Sequence, residues 1–137
     1  MTVVDTSAVV DYLVRGEAFD EVAALLSRER MISAPDLLVF EVVAVLRRHA
    51  RRGLIDVDRA GAAVADLGDL SMELFPTLPF RGRAWELRDN LTVADAIFVA
   101  LAERLDEPLA TKDAALASAA QRHTRVHVIE LAGNRDR

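Results

Sequence analysis

The sequence predicts an α/β fold, a three-layer α/β/α sandwich with a mostly parallel central sheet. Short apolar segments typical of buried strands alternate along the chain with longer segments of helical periodicity. The 137 residues are 52% hydrophobic, which is enough to close a core, and no cysteine is present to form disulfides or thiolate metal sites. We therefore expect a single domain over residues 1–131 and a frayed tail over residues 132–137.

The first half of the chain is predicted to contain two strands and four helices. A short strand over residues 3–4 stops at Asp5, and a strand over residues 31–35 is closed by its proline. The longest helix runs over residues 36–52, carries arginines in its last turn, where they suit the helix dipole, and is ended by Gly53. The remaining helices of this half are predicted at residues 7–14, 19–28 and 56–70.

The second half continues the alternation. A strand over residues 72–78 is closed by prolines, and the helix over residues 92–105 is predicted to be strongly amphipathic. The other elements of this half are a helix at residues 81–88, a strand at 108–111, a helix at 113–122 and a last strand at 126–131. Such alternation favours parallel strands covered by helices on both faces.

The charge pattern gives two opposing indications about partners. A net charge of −5 argues against non-specific nucleic-acid binding. The positive charge is almost all arginine and is clustered, however, and arginine pairs with phosphate through two parallel hydrogen bonds. Solvated helix faces are the alternative explanation of these clusters. No segment is long and apolar enough to span a membrane and no signal peptide precedes the first strand, so we expect a cytoplasmic protein that does not contact membranes.

Four acidic residues occupy unusual positions. Asp5 follows a predicted strand directly, Asp113 follows another just after Lys112, and Asp95 lies in the first turn of a helix. Glu41 lies within the longest helix, and its neighbours three and four residues away are apolar, so we expect it to point toward the core. Each has a structural explanation as well. Asp5 and Asp113 could cap the helices that follow them, Thr92 and Asp95 fit a capping box, and Glu41 could pair with a nearby arginine.

Taken together, these acids predict a metal site. The carboxyl ends of parallel strands and the first turns of their helices meet in one crevice, where Asp5, Glu41, Asp95 and Asp113 would converge. Two such charges about 5 Å apart repel by roughly 3 kcal/mol at an effective dielectric of about 20, so the cluster must take up protons or a cation. Carboxylate oxygens select Mg²⁺ or Mn²⁺, and the hydroxyls of Thr6 and Ser7 could hold a carboxylate in place. One or two such ions suit phosphodiester hydrolysis by water.

The same segments resemble a known family. The N-terminal VVDTSAVVDYL, the glutamate within LLVFEVVAVLRR and the segment LTVADAIFVALAERLDEPLATKDAAL are similar to PIN-domain ribonucleases, specifically the VapC-type toxins of bacterial toxin–antitoxin pairs. The resemblance covers nearly the whole chain. It implies a Mg²⁺- or Mn²⁺-dependent endoribonuclease whose metal-binding acids match Asp5, Glu41, Asp95 and Asp113, with Thr6 or Ser7 as the supporting hydroxyl.

The resemblance also implies partners. Members of this family are usually homodimers, and a small antitoxin silences them by covering the active-site groove with its C-terminal segment. The arginines nearest the acids in sequence become candidates for contacts with the RNA backbone; they are Arg47, Arg48, Arg83 and Arg88. One departure is Ala94, where the family often has an aromatic residue before the aspartate, and it puts a stacking role at that position in doubt.

Three other classes remain as alternatives. A PIN-like interaction module that has lost catalysis would keep the fold without the activity. A phosphohydrolase of the haloacid dehalogenase kind needs a second aspartate two residues after the first, where this chain has Ser7. A response-regulator receiver needs an acidic pair at the first strand. Metal-dependent RNA cleavage separates the ribonuclease from the inactive module, whereas formation of an aspartyl-phosphate would identify the receiver.

Overall fold

The computed structural model describes residues 1–131, so the tail predicted over residues 132–137 lies outside the described residues. Residues 1–131 form five strands: β1 (Val3–Val4), β2 (Ile32–Pro35), β3 (Met72–Phe75), β4 (Leu109–Thr111) and β5 (Val128–Glu130). They also form seven α-helices: α1 (Thr6–Leu13), α2 (Phe19–Glu29), α3 (Leu37–Arg51), α4 (Val57–Leu67), α5 (Arg81–Glu86), α6 (Val93–Leu105) and α7 (Ala114–His123). A 3₁₀ turn, Leu78–Phe80, precedes α5.

The five strands form one sheet in which every neighbouring pair is parallel, in the order β3-β2-β1-β4-β5. The chain leaves β1 toward β2 on one side, whereas β4 pairs with β1 on the other side. This reversal is the switch point of the topology, where open α/β sheets place their ligand-binding crevice. Val4 pairs in register with Ala110, so Asp5 and the residues after β4 lie at the same edge of the sheet.

Helices cover both faces, as predicted from the alternation of elements. Parallel strands are joined by right-handed crossovers, which place α1 to α4 on one face and α5 to α7 on the other. The packing agrees with this arrangement, because α1 contacts α2, α3 and α4, while α5 contacts α6. No helix in residues 1–131 combines the length and the apolar character that crossing a bilayer requires.

The core lies between the sheet and these two layers. Among its largest fully buried side chains are Ile32, Leu38, Phe98 and Leu101. The prediction that residues 92–105 form a strongly amphipathic helix is wrong in degree, because α6 is buried through seven consecutive residues, Ala96–Ala102. This burial arises because α6 belongs to the long crossover from β3 to β4 and packs across β2, β1 and β4.

Several predicted elements are longer than the observed ones. The strand expected over residues 72–78 ends at Phe75, because Pro76 has no N–H for the sheet and the chain then enters the 3₁₀ turn. The helix expected to reach residue 70 ends at Leu67, next to Gly68. The last strand begins at residue 128 rather than 126.

Candidate active site

Asp5 is the most buried of the four predicted acids, with 5% of its surface exposed. It follows β1 and caps α1, since its Oδ1 accepts hydrogen bonds from the Ala8 N–H at 3.1 Å and the Ser7 hydroxyl at 2.8 Å. Its Oδ2 accepts a hydrogen bond from the Thr111 hydroxyl at 2.6 Å. Burial raises the pKa of Asp5 to about 6, although these three donors act against it, and the charge of Asp95 raises the pKa further.

Glu41 lies on the side of α3 that faces Asp5, and the Thr6 hydroxyl donates a 2.6 Å hydrogen bond to its Oε1. The side chain is half-buried and lines a cleft, so the expectation that it points toward the core is only partly met. The alternative in which Glu41 pairs with Arg47 or Arg48 is not what the structure has, because Glu41 forms no ion pair within residues 1–131.

Asp95 lies in the first turn of α6, where its backbone N–H donates to the Thr92 hydroxyl at 3.1 Å. Burial is the main reason that the pKa of Asp95 is raised, and the charges of Asp113 and Glu41 raise it further, whereas hydrogen bonding of the Thr92 side chain with the Asp95 carboxyl lowers it. Asp95 therefore interacts electrostatically with all three of the other acids. For both aspartates with a raised pKa, burial outweighs the mutual repulsion that the sequence analysis emphasised.

Asp113 caps α7 by accepting hydrogen bonds from the N–H groups of Ala115 and Leu116 at 2.9 and 3.1 Å. Its own N–H donates to the Thr111 hydroxyl oxygen at 2.9 Å, and that hydroxyl donates to Asp5. Thr111 thus connects two of the acids. The capping roles considered for Asp5 and Asp113 are confirmed. The two carboxylates also line one cleft, because helix caps and crevice lie at the same ends of the strands.

The four acids open into one cleft of about 540 Å³. Its lining also includes Thr6 and Ser7, as the sequence predicted, together with the cations Arg48 and Lys112 and the aromatic ring of Phe40. Of the other arginine candidates, Arg47 lines an adjoining cavity. Arg83 and Arg88 do not line the cleft.

Arg83 and Arg88 are occupied elsewhere. Arg83 binds both oxygens of Glu103 at 2.9 Å and also contacts Glu86, and Arg88 lies over the Trp85 ring. These contacts favour a structural role for both side chains. Their assignment to the RNA backbone stays a prediction from sequence position.

Two features of the cleft were not predicted. Asp11, in α1, is buried and binds the Lys112 ammonium at 3.0 Å and the Ala18 N–H at 2.6 Å. A Cβ at Gly16 would lie 2.1 Å from the Asp11 carboxylate, so this turn requires a glycine. The sequence indicated no role for Thr111. In the structure it is a completely buried polar residue at the end of a strand, which marks it as part of the site.

The donor set matches the chemistry of a hard divalent cation, since four carboxylates line one cleft and Asp95 interacts with each of the others. No three His, Asp or Glu side chains in residues 1–131 are gathered closely enough to hold a metal ion as they stand. Binding one therefore requires side-chain rearrangement among Asp5, Glu41, Asp95 and Asp113.

Comparison with known proteins agrees with this fold. The model of the PIN domain family matches residues 2–122. Ribonuclease VapC1 of Mycobacterium tuberculosis is 42% identical over 118 residues, 85% of this chain and 89% of that protein. Ribonuclease VapC12 of the same species is 37% identical over 131 residues, 96% of this chain and 98% of that protein. The chain belongs to the PIN-domain family and, within it, to the VapC ribonucleases.

Two solved structures share the fold. PAE2754 from Pyrobaculum aerophilum superposes with a TM-score of 0.66 at 22% identity, over 91% of this chain and 80% of that one. Mycobacterium tuberculosis VapC20, described as a toxin that cleaves the sarcin-ricin loop, has a TM-score of 0.60 at 18% identity, over 85% of this chain and 92% of that one. The predicted PIN-like α/β architecture is confirmed.

Proposed function

We propose that this protein is a Mg²⁺- or Mn²⁺-dependent endoribonuclease and the toxin of a type II toxin–antitoxin pair. The observation that carries the proposal is the convergence of Asp5, Glu41, Asp95 and Asp113 on one cleft of a VapC-family fold. These four carboxylates would hold the divalent ion. When bound, such an ion lowers the pKa of water and neutralises charge on the leaving oxygen.

The chain's own residues have distinct parts in this proposal. Thr111, Ser7 and the Ala8 N–H fix the orientation of Asp5, while Thr6 fixes that of Glu41. These bonds orient two of the four carboxylates that line the cleft. The cationic side chains of Arg48 and Lys112 in the same cleft could contact the phosphodiester, because their charge offsets the repulsion between RNA and the acids.

Hydrolysis by water leaves the RNA 2′-hydroxyl unused, so the expected products carry 5′-phosphate and 3′-hydroxyl ends. The test is incubation of the purified protein with total bacterial RNA in Mn²⁺ or in EDTA, followed by sequencing of the new ends. Cleavage only in Mn²⁺, with those ends, supports the proposal. Cyclic phosphate ends would contradict the hydrolytic route.

Asp95→Asn is the matched variant for this assay, because it removes the acid that interacts with the other three and keeps the side-chain shape. It should abolish cleavage, whereas Asp58→Asn, on the exposed surface of α4, should not. If the wild-type protein binds RNA without cutting it, the inactive PIN-like module is the better description. The family match leaves no support for the haloacid dehalogenase alternative, and the absence of an aspartyl-phosphate would exclude it directly.

The relatives named VapC ribonucleases support two further proposals about partners. We expect a cognate small antitoxin that covers the cleft with its C-terminal segment and places a basic side chain among the acids. We also expect a homodimer and, because the substrate is cellular RNA, a cytoplasmic location. Light scattering of the purified protein, alone and co-expressed with a candidate antitoxin, measures both the dimer and the complex.

A further inference from the structure

A second cavity continues the cleft along α3. It has a volume of about 880 Å³ and shares Phe40, Ala44 and Arg48 with the cleft that holds the acids, so the two adjoin along α3. The rest of its lining comes from the same helix and consists of Val39, Val43, Arg47, Arg51 and Arg52. One helix therefore presents both apolar and cationic side chains along a surface that begins at the carboxylates.

Phe40 is the most exposed large apolar side chain of residues 1–131, with 72% of its surface accessible. It precedes Glu41, and Ala44, Arg47 and Arg51 follow it at helical spacing along the same stripe. A ring this exposed leaves most of its apolar surface in water. A planar ligand that stacks on the ring would remove that surface from water.

The four arginines that line the second cavity are available to a ligand. Arg47, Arg48, Arg51 and Arg52 form no ion pair or hydrogen bond with another side chain in residues 1–131, in contrast to Arg83, which binds Glu103 and Glu86. The helix carries one acid, Glu41, at its other end. Four free guanidinium groups close together are a favourable surface for the phosphates of a nucleic acid.

We propose that the lining of the second cavity is an RNA-binding subsite, with a base stacked on Phe40 and the backbone following Arg47, Arg48 and Arg51 away from the acids. The inference rests on the proposed ribonuclease function and adds to it a subsite that holds an unpaired base. Single strands are required because a base can reach the ring only when it is not stacked within a duplex. Apolar platforms flanked by cations are the usual means of binding such strands.

Binding of a short fluorescent single-stranded RNA, measured by anisotropy in an inactive Asp95→Asn background, tests the stacking. Phe40→Ala and Phe40→Leu should each raise Kd about 5- to 150-fold, because a stacked base contributes that much. Phe40→Leu keeps the apolar volume and loses the aromatic face. Thermal unfolding followed by circular dichroism should show that both variants keep the fold, as the ring is exposed.

A spectroscopic signature separates stacking from simple contact. Trp85 is the single tryptophan of the chain, so Phe40→Trp in a Trp85→Phe background places the sole indole on the proposed platform. Its fluorescence should fall as RNA is added, and duplex RNA of the same sequence should have much less effect.

The backbone contacts have their own measurement. Arg47→Ala combined with Arg51→Ala should reduce the slope of log K against log salt by about 1.4, since each lost phosphate contact on a single strand contributes about 0.7. Arg122→Ala, an exposed arginine on α7 that lines neither cavity, is the matched control and should leave the slope unchanged.

The outcomes that overturn the inference differ from those that overturn the proposed function. If Phe40→Leu binds RNA as tightly as the unsubstituted background does, or the indole fluorescence of the Phe40→Trp variant does not respond, no base stacks there. If the arginine pair leaves the slope unchanged, the backbone does not follow α3, and a protein partner is then the occupant of this face. Each of these results can occur while the wild-type protein still cleaves RNA. Absence of any Mn²⁺-dependent cleavage would instead refute the function itself.

Discussion

Asp5→Asn should stabilise the metal-free protein at neutral and alkaline pH. The Asp5 pKa lies at about 6 in the folded protein, against an ordinary value of 3.8. That difference means that the ionised carboxylate costs the folded state about 3 kcal/mol at pH 8. A neutral asparagine removes this cost. It also leaves the Thr111 hydroxyl without its carboxylate acceptor, a loss of about 1 kcal/mol. The net gain in the free energy of unfolding is therefore about 2 kcal/mol.

The pH dependence has a definite sign. Because the folded state binds the Asp5 proton more tightly than the unfolded state does, the contribution of this group to stability is fully present below about pH 4. It is lost as the pH rises through about 6. The advantage of Asp5→Asn should therefore be largest at pH 8 and disappear toward pH 4.

Urea unfolding in EDTA at several pH values measures this effect, since urea leaves the ionic strength unchanged. Asp11→Asn is the matched control, because Asp11 is similarly buried in α1 but binds Lys112 and the Ala18 N–H. It should lower the free energy of unfolding by about 1 to 3 kcal/mol, since the substitution removes the charged acceptor of the partly exposed Lys112 ammonium. Destabilisation by Asp5→Asn at pH 8, or a gain that does not change with pH, would refute the reasoning.

Two further substitutions test parts of the site and its surroundings. Thr111→Val removes the hydroxyl that joins Asp5 to Asp113 at almost constant volume, and it should lower kcat about 10- to 100-fold and shift the Mn²⁺ dependence, as lost supporting contacts do in metal sites. Unchanged kinetics would show that Thr111 does not position Asp5. Arg83→Ala breaks the two-pronged contact with Glu103 on a partly exposed surface, so urea unfolding should show a loss of about 1 kcal/mol or less. Its RNA cleavage should be normal, and a large loss of activity would restore Arg83 as a backbone contact.

The order of strands and helices follows from the sequence because the periodicity and length of the apolar segments determine it. Val3 and Val4 before Asp5, and the short strand before Asp113, mark strand ends without any knowledge of tertiary contacts. The same pattern places the four acids at one end of the sheet. What the pattern cannot give is the exact length of edge elements, such as the strand that ends at Phe75, where a proline and local packing decide.

The supporting contacts of the site could be predicted only in part. The hydroxyls of Thr6 and Ser7 adjoin an acid in sequence, so their role was visible, and the structure gives each an acid as partner. Thr111 lies 106 positions from Asp5, and its contact depends on the pairing of β1 with β4. The positions of Lys112 and Phe40 in the cleft depend in the same way on how α1, α3 and β4 are assembled around it. Contacts between residues far apart in sequence can be assigned only once the fold is known.

Calorimetric titration of Mn²⁺ into the purified protein tests the central claim most directly, which is that the carboxylates of one cleft hold a divalent ion. The account predicts saturable binding by the wild-type protein, binding at least about tenfold weaker in Asp95→Asn, and unchanged binding in the exposed control Asp58→Asn. No saturable binding by the wild-type protein, or equal binding by Asp95→Asn, would contradict it.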